Sequence, residues 1–354
     1  MLARGLVVLI ALLAGGSSLT TPALAAPEGP RLAYVEWKPE PPMTRLVTLA
    51  PDGTGRRVLP LAGVQPVQFE GPVWSADGGT LFFAGYRVDS EGTPRENGRP
   101  RIFAVGAEGG EPRAVSGTAG GSHPVLSPDG SSLAFKRTKF RHRFDPGNPA
   151  DFGAYFSVTT WIVSTQGGPP RQLTPWRDGL VNEPAAFSPD GATLLLERDR
   201  GPSWSPEIVS RSLTGGSLQI LFRGAEDPAY SPDGTRIALV SYRDGLEVAT
   251  AEGPEPVAEL YVANSDGSQP RRLTRTPRAQ ESQPGWGPGG LRLAFLRVPG
   301  PGGLGFGSLL LQANSDGTCP RRVTGATGRR AAAFYGPAWQ PGLGREPGWL
   351  NCLR

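Results

Sequence analysis

A short turn motif recurs along this chain of 354 residues, each time after a proline-led apolar triplet and before a hydrophobic strand. Proline at the second position of a turn fixes φ, aspartate can bond nearby backbone, and glycine accepts a left-handed conformation, so Ser-Pro-Asp-Gly predicts a tight hairpin turn. The serine, or the residue that replaces it, stands at positions 75, 127, 188, 231, 287 and 340, and these positions differ by 52, 61, 43, 56 and 53 residues. This period is typical of a four-stranded β-propeller blade.

A second repeat follows the first, where an apolar strand enters a glycine turn and then a short basic strand. Asn264 to Thr274 and Asn314 to Thr324 match at eight of eleven positions with an offset of fifty. Glycine and proline are abundant, at 50 and 38 residues, and they fall on the turns of the repeat. The sequence therefore predicts an all-β protein.

The ends of the chain predict how the ring closes. Six inner strands are expected at residues 72–75, 124–127, 184–188, 228–231, 284–287 and 337–340. The first strands, around 31–37, 44–50 and 56–61, lack an inner strand before them, and the last inner strand lacks a successor. We therefore expect a six-bladed β-propeller over residues 31–342, its last blade made of the C-terminal strand and three N-terminal strands, which leaves no open sheet edge. Residues 343–354 form a C-terminal tail.

The N-terminus predicts export. Residues 1–25 contain Arg4, an apolar run from Gly5 to Ala14, and Ala23-Leu24-Ala25 before Ala26, which is the pattern of a signal peptide. An apolar run of this length is too short to span a bilayer. The expected protein is periplasmic or secreted, monomeric, and without a transmembrane anchor.

The repeat "P-x-x-SPDG-x-x-[LI]-A-[FL]" followed by "DG-x-x-P-R-R-L-T" resembles the propeller repeats of TolB and its relatives. The resemblance covers the propeller only, without the N-terminal domain of TolB. It implies a six-bladed periplasmic propeller that works by binding other proteins, including a peptidoglycan-associated lipoprotein. We therefore expect a partner that is an envelope protein or a cell-wall component.

The long insertions are all expected on one face of the propeller. If the strands of a blade are labelled A to D from the innermost to the outermost, antiparallel alternation places the B-to-C and D-to-A connections on the same face. These insertions are 88–100, 137–154, 243–256 and 298–304. The longest begins with a basic stretch with interleaved aromatic residues, and we predict that it forms a partner-binding loop for an anionic partner such as cell-wall phosphate, an acidic polysaccharide or an acidic protein face. Its residues are Lys136, Arg137, Lys139, Arg141, His142 and Arg143, and the alternative is a solvated loop. Export and a net charge of only +4 argue against nucleic acid.

The residue before each inner-strand proline is expected at the mouth of the central channel. The polar ones, predicted to bind a ligand, are His123, Glu183, Asp227 and Gln283. Such residues could coordinate a divalent cation. The alternative, which we favour, is that they cap strand ends or bind channel water, so no cofactor is predicted.

Catalysis has little support in the sequence. Only His123 and His142 are histidines, and neither a Gly-x-Ser-x-Gly elbow nor a zinc-type histidine motif occurs. The repeated turn aspartates belong to different blades, so we interpret them as turn residues. The predicted function is a non-enzymatic protein-binding or scaffold module; the alternative is a polysaccharide-binding protein or a carboxylate-dependent lyase or hydrolase at the channel mouth.

The two cysteines, Cys319 and Cys352, are in an exported chain where oxidation is permitted, and the connecting residues are long enough to bring them together. We predict a disulfide between them. Unpaired thiols or an intermolecular link are the alternatives.

Overall fold

The computed structural model describes residues 30–39, 42–68, 70–95, 98–140, 156–177, 179–200, 206–250, 253–276, 278–299, 308–323 and 333–341. These residues form β-strands joined by turns, and this part of the chain contains no α-helix. None of it forms a helix long and apolar enough to cross a membrane. The all-β prediction is confirmed.

The strands, numbered in chain order, form successive sheets. The first three are β1 (Leu32–Pro39), β2 (Pro42–Leu49) and β3 (Arg57–Val58). A five-stranded sheet follows, with β4 (Val64–Pro66), β5 (Val73–Trp74), β6 (Thr80–Arg87), β7 (Arg101–Gly106) and β8 (Arg113–Ala114). An eight-stranded sheet contains β9 (Gly121–Leu126), β10 (Ser132–Phe140), β11 (Phe156–Ser164), β12 (Arg171–Gln172), β13 (Val181–Phe187), β14 (Thr193–Asp199), β15 (Glu207–Ser212) and β16 (Gln219–Arg223).

The remaining strands complete the arrangement. One four-stranded sheet contains β17 (Ala225–Tyr230), β18 (Arg236–Ser241), β21 (Glu259–Asn264) and β22 (Arg271–Arg272), and the hairpin of β19 (Glu247–Thr250) and β20 (Gly253–Pro256) is inserted in it. A second consists of β23 (Ala279–Trp286), β24 (Arg292–Pro299), β25 (Leu309–Asn314) and β26 (Arg321–Arg322). The last strand, β27 (Ala333–Trp339), pairs with β1.

The predicted pairing of the two chain ends is present. Strands β27, β1, β2 and β3 form one antiparallel sheet, in which Leu32 stands opposite Trp339. Gln340 extends the contact: its backbone N–H donates to Arg31 O at 2.7 Å, and its side-chain amide donates to Gly78 O at 2.7 Å. The last described strand is therefore fixed both to the first strand and to the next sheet.

The core lies between neighbouring sheets. Buried aliphatic and aromatic side chains of β1 and β2 pack against those of β5, β6 and β7, where the Phe83 and Phe103 rings stack at 5.9 Å. Equivalent clusters join each group of strands to the next, and one of them joins β24 and β25 back to β1 and β2. This cyclic packing is the propeller arrangement that the repeat predicts.

The repeated aromatic residues lie in these contacts between sheets. Three indole N–H groups donate to a backbone carbonyl of the neighbouring inner strand: Trp74 to Ala338 at 3.2 Å, Trp286 to Ala229 at 3.0 Å, and Trp339 to Gly285 at 3.2 Å. One repeat position therefore supplies both apolar packing and a hydrogen bond between blades.

The turn aspartates have the structural role that we predicted. In each of four turns the serine hydroxyl donates to the aspartate at 2.5 Å, and a backbone N–H beyond the turn donates to the same carboxylate at 3.0 to 3.1 Å. The aspartates are Asp77, Asp129, Asp190 and Asp233.

Cys319, at a positive φ of 54°, is disulfide-bonded. Cys352, the signal peptide and the C-terminal tail lie outside the described residues. The pairing of Cys319 with Cys352, the signal peptide and the tail therefore stay predictions.

Two sequence predictions need correction. The inner strands do not begin at their proline: β9, β13 and β17 begin three residues earlier and β23 begins five earlier, since backbone pairing with the next strand continues past the proline. Lys136, Arg137 and Lys139 are not loop residues. They belong to β10, which pairs with β11 as far as Phe140. Arg141, His142 and Arg143 lie outside the described residues.

Candidate functional site

Three of the predicted channel residues lie at strand irregularities. His123, Asp227 and Gln283 have φ of 54°, 53° and 50°, although none is glycine. The pairing of their strands with the next strand shifts register at the same places, which is the pattern of a β-bulge. A left-handed conformation costs a non-glycine residue on the order of 1–3 kcal/mol, and such strain is concentrated at functional sites.

These bulges line a cavity on the axis of the molecule. The cavity has a volume of about 190 Å³, and prolines of five inner strands surround it. They are Pro72, Pro124, Pro228, Pro284 and Pro337. Its polar lining is His123, Glu197, Asp227 and Gln283. The structure therefore brings three of the four predicted residues to one cavity, whereas Glu183 is linked to His123 only through Lys136 and Glu70.

One side of this polar site is a network of paired charges. The Lys136 ammonium lies 3.1 Å from Glu70 Oε1 and 3.0 Å from Glu183 Oε2, and His123 Nδ1 lies 3.1 Å from Glu70 Oε2. Burial opposes ionisation of Glu70, but Lys136 and His123 outweigh it and lower the pKa of Glu70 to about 2. Burial likewise opposes protonation of Lys136 and His123, and the neighbouring carboxylates outweigh it and raise the pKa of both. Lys136, which contacts both Glu70 and Glu183, is therefore the cation that the two carboxylates share.

The other side is acidic. The Asp227 backbone N–H donates to Glu197 Oε1 at 3.0 Å, and Asp227 Oδ2 accepts from the Gln283 backbone N–H at 2.8 Å. Beside them, Tyr242 donates its hydroxyl to Glu226 Oε1 at 2.7 Å. Burial, followed by the charge of Asp227, raises the pKa of Glu226 to about 7, and the same two causes raise that of Glu197 well above its usual range. Burial also raises the pKa of Asp227.

The contacts run from one group of consecutive strands to the next around the channel. Glu70 contacts residues of the β9–β10 hairpin, Lys136 of that hairpin contacts Glu183 of β13, Glu197 of β14 contacts Asp227 of β17, and Asp227 contacts Gln283 of β23. Each contact joins residues that are distant in the chain. The bulged residues therefore help to hold neighbouring sheets together, besides lining the cavity.

Sequence reasoning missed Glu70 and Glu197 and placed Lys136 in a loop. A signal was present: Lys136 and Glu197 each directly follow the apolar triplet of a second strand, Leu133-Ala134-Phe135 and Leu194-Leu195-Leu196. Lys136 of β10 and Glu197 of β14 pair with the inner strands β9 and β13 next to the irregularity of each inner strand. Charged residues there are therefore expected to be next to the channel.

The described residues contain no group of three or more His, Cys, Asp or Glu side chains arranged to hold a metal ion. His123 and Glu183 are two of the four residues that we considered as ligands of a divalent cation. In the structure they are linked to each other through Glu70 and Lys136. The arrangement can offer a partner hydrogen-bonding carboxyl groups on one side and charge-paired groups on the other.

The acidic side predicts how stability depends on pH. An acid with a folded-state pKa above its unfolded value favours folding at low pH and opposes it once ionised, so stability should fall as pH rises from about 4.5 through about 7. Glu226→Gln removes this cost, and we expect the variant to be more stable than the wild type by on the order of 1–3 kcal/mol at pH 8 and by less than about 1 kcal/mol at pH 5.

Urea unfolding of both proteins between pH 5 and pH 8 measures the difference. The control is Glu111→Gln, which removes an exposed glutamate next to the short strand β8, outside the lining of the axial cavity, and should leave the pH dependence unchanged. A Glu226→Gln curve parallel to that of the wild type would show that Glu226 ionises normally.

Comparisons with known proteins find TolB-type relatives. No protein-family model matches the chain. The Tol-Pal system protein TolB of Anaeromyxobacter dehalogenans (strain 2CP-C) is 30% identical over 172 residues, which are 46% of this chain and 36% of that protein. The match thus spans little more than a third of the curated relative.

Solved structures extend the similarity to nearly the whole chain. TolB from Acinetobacter baumannii superposes with a TM-score of 0.60 at 21% identity, covering 88% of this chain and 67% of that one. A putative TolB from Agrobacterium tumefaciens has a TM-score of 0.55 at 20% identity, covering 86% and 91%. At these identities the solved structures support the propeller fold alone.

Proposed function

We propose that this protein, a TolB-like β-propeller, is an exported module of the cell envelope that works by binding another protein. The observation that carries the proposal is the combination of that fold with sequence identity to a Tol-Pal system protein. The resemblance to TolB makes a peptidoglycan-associated lipoprotein the first partner to test. We propose a monomer located in the periplasm or secreted from it.

We infer that the ring has six blades. The eight-stranded sheet contains two runs in order from inner to outer strand, β9 to β12 and β13 to β16, and a single parallel residue pair, Val158 with Val181, joins them. Each run has the strand order of the separate four-stranded sheets. Counted as two blades, the runs give six together with the remaining sheets, in line with the repeat of the sequence.

We place the partner site on an arm formed by the ends of β10 and β11. Strand β9 pairs with β10 only as far as Arg137, so Thr138, Lys139 and Phe140 pair with β11 alone. All three are exposed, and Phe140, 59% exposed, lies with its ring 6.4 Å from that of Phe156. An exposed aromatic ring beside a lysine fits a protein surface that carries acidic and apolar side chains.

The arm lies on the face where the inner strands begin, because the end of β10 pairs beside the start of β9. The axial cavity is only a few residues further along these inner strands. We therefore propose that His123, Glu183, Asp227 and Gln283 form a second, polar region for the same partner. Burial and neighbouring carboxyl groups explain the raised pKa values of Glu197, Glu226 and Asp227, so these values do not favour the enzymatic alternative. Lys136 already provides a positive charge to Glu70 and Glu183, so a bound metal ion is not part of the proposal.

Capture of a purified partner tests the proposal. The mature protein is immobilised and exposed to the purified periplasmic domain of the peptidoglycan-associated lipoprotein of its own source organism. We expect specific capture. The double variant Lys139→Glu with Phe140→Ser should weaken binding about tenfold or more, as removal of an aromatic residue at the centre of an interface does.

The matched control carries Arg171→Glu, a charge reversal on the short outer strand β12 away from the arm. It should bind like the wild type. Equal binding by the arm variant and the wild type would move the site elsewhere, and no binding by any form would reject this partner. Both variants should unfold at the wild-type urea midpoint, because exposed substitutions change stability little.

A further inference from the structure

A second cavity lies between the outer parts of two neighbouring sheets. Its volume is about 390 Å³. Strand β16 forms one wall through Leu221, Phe222 and Arg223, and strands β18 and β21 of the next sheet form the other. It is separate from the axial channel and from the arm, so it does not depend on the function proposed above.

The rim of this cavity is positively charged. Arg223 and Arg243 line it, and no acidic residue is among its lining residues in the part of the chain that the structure describes. Asp244, next to Arg243, lies outside this lining, and its carboxylate is bonded to the Tyr261 hydroxyl and to Arg272. The Arg243 guanidinium is exposed and lies 5.8 Å from the centre of the Tyr261 ring. A guanidinium beside an aromatic ring is attracted by the ring quadrupole, and this contact leaves its N–H groups available to an anion.

The charge of Arg223 is only partly compensated. It contacts Glu207, a carboxylate 4% exposed, but the same carboxylate also accepts hydrogen bonds from Arg198 at 2.5 and 2.9 Å and from Arg200 at 3.4 Å. One negative charge therefore faces three positive ones. Arg223, whose side chain is 73% exposed, remains available to a second anion.

The floor of the cavity is apolar. Leu221 and Phe222 are half-buried and leave apolar surface open to the cavity, and they pack on Leu239 and Tyr261, which are almost completely buried. A hydrated inorganic anion would gain nothing from such a floor. A ligand with an aliphatic or aromatic group could cover it while its charged end meets the arginines.

We propose that this arginine-rimmed cavity binds a small organic carboxylate with an apolar body, whose carboxylate pairs with Arg223 and Arg243. Planar guanidinium groups suit a carboxylate because they offer two parallel N–H donors to its two oxygens. The apolar body lies against Leu221 and Phe222. The cavity volume is in the range of small-molecule sites.

The test compares two probes that differ only in charge, N-acetyl-L-leucine and N-acetyl-L-leucinamide. Binding to the wild-type protein is followed by isothermal titration calorimetry or by chemical-shift changes of the probe. We expect the acid to bind about tenfold more tightly than the amide, as expected for a charge-assisted hydrogen bond. Equal binding of acid and amide, or binding of neither, would overturn the proposal.

The variants Arg223→Gln and Arg243→Gln locate the binding. Each should weaken binding of the acid about tenfold and leave that of the amide nearly unchanged. Arg171→Gln, which removes the same charge from an exposed position on β12, should have no effect. Equal losses in all three variants would mean attraction to the net charge of the protein and would reject the site.

Inorganic phosphate provides the last comparison. If the apolar floor takes part, phosphate should bind at least about tenfold more weakly than N-acetyl-L-leucine. Phosphate binding as tight as that of the acid would reduce the cavity to a simple anion site and overturn the assignment of its ligand class. Urea unfolding of every variant verifies that the fold is intact.

Discussion

Replacing Lys136 by methionine is expected to lower the free energy of unfolding by about 3 kcal/mol at pH 7, because it leaves two carboxylates without their shared cation. Glu70 is the more severely affected, since only 8% of its side chain is exposed. Methionine keeps the length and apolar stem of lysine, so the loss reports the charge and not a cavity. Urea unfolding at constant pH measures the effect.

The pH dependence identifies the cause. In the wild type the pKa of Glu70 is lowered to about 2, so its contribution to stability is present above the unfolded value near 4.5 and is lost as pH falls toward 2. Without the ammonium, only His123 still offsets the effect of burial, so the pKa of Glu70 rises and the variant takes up a proton more readily. The difference between the two proteins should therefore shrink below about pH 4.5.

The control is Lys139→Met, three residues along the same strand and exposed. It removes the same charge and should change the unfolding free energy by less than about 0.5 kcal/mol. If the two substitutions have equal effects, the ion pairs around Lys136 do not stabilise the fold.

Replacing Trp339 by alanine is expected to cost about 3–5 kcal/mol, the usual range for a large aromatic side chain removed from a core. Trp339 is 9% exposed and belongs to the cluster that packs β24 and β25 against β1 and β2. It also donates its indole N–H to Gly285 O. The substitution thus weakens the contact that closes the ring.

Trp339→Phe separates the two roles. Phenylalanine keeps most of the apolar contact and loses the hydrogen bond, so we expect about 1 kcal/mol. Hydrogen exchange then tests closure: the amides of β1 should lose protection in Trp339→Ala before those of β14, on the other side of the ring. Uniform loss of protection in all sheets would mean that the closing strand is no weaker than the rest.

Much of the fold could be predicted from sequence because the repeat encodes local geometry. Ser127-Pro128-Asp129-Gly130 specifies a turn through its own backbone preferences, and the apolar triplet after it specifies a strand. The pairing of the two chain ends also followed, since strands without partners at both ends of a repeat have one arrangement that leaves no open edge.

The strand boundaries were wrong where tertiary pairing overrides local preference. Asn182-Glu183 and Glu226-Asp227 are poor strand formers, and the proline after each indicates a boundary, yet both pairs continue an inner strand. The charges of Lys136, Arg137 and Lys139 likewise suggested a loop. Pairing with the valine- and threonine-rich strand β11 determines their conformation instead.

The site was predicted only in part. The position before the inner-strand proline identified His123, Asp227 and Gln283 as channel residues, because one repeat position has one place in a ring. Which of them are paired depends on Glu70, Lys136 and Glu197, whose contacts cross between blades and join residues up to 66 positions apart, as in the Glu70–Lys136 pair. A single sequence contains no record of such pairs.

Site-specific photo-crosslinking tests directly whether a protein partner binds at the β10–β11 arm. The photoreactive amino acid p-benzoylphenylalanine replaces Phe140 in one strain and Arg171, an exposed residue of the short strand β12, in another. Illumination of intact cells should give a discrete protein adduct from position 140 and none from position 171. No adduct from position 140, or the same adduct from both positions, would mean that the partner does not bind at the arm.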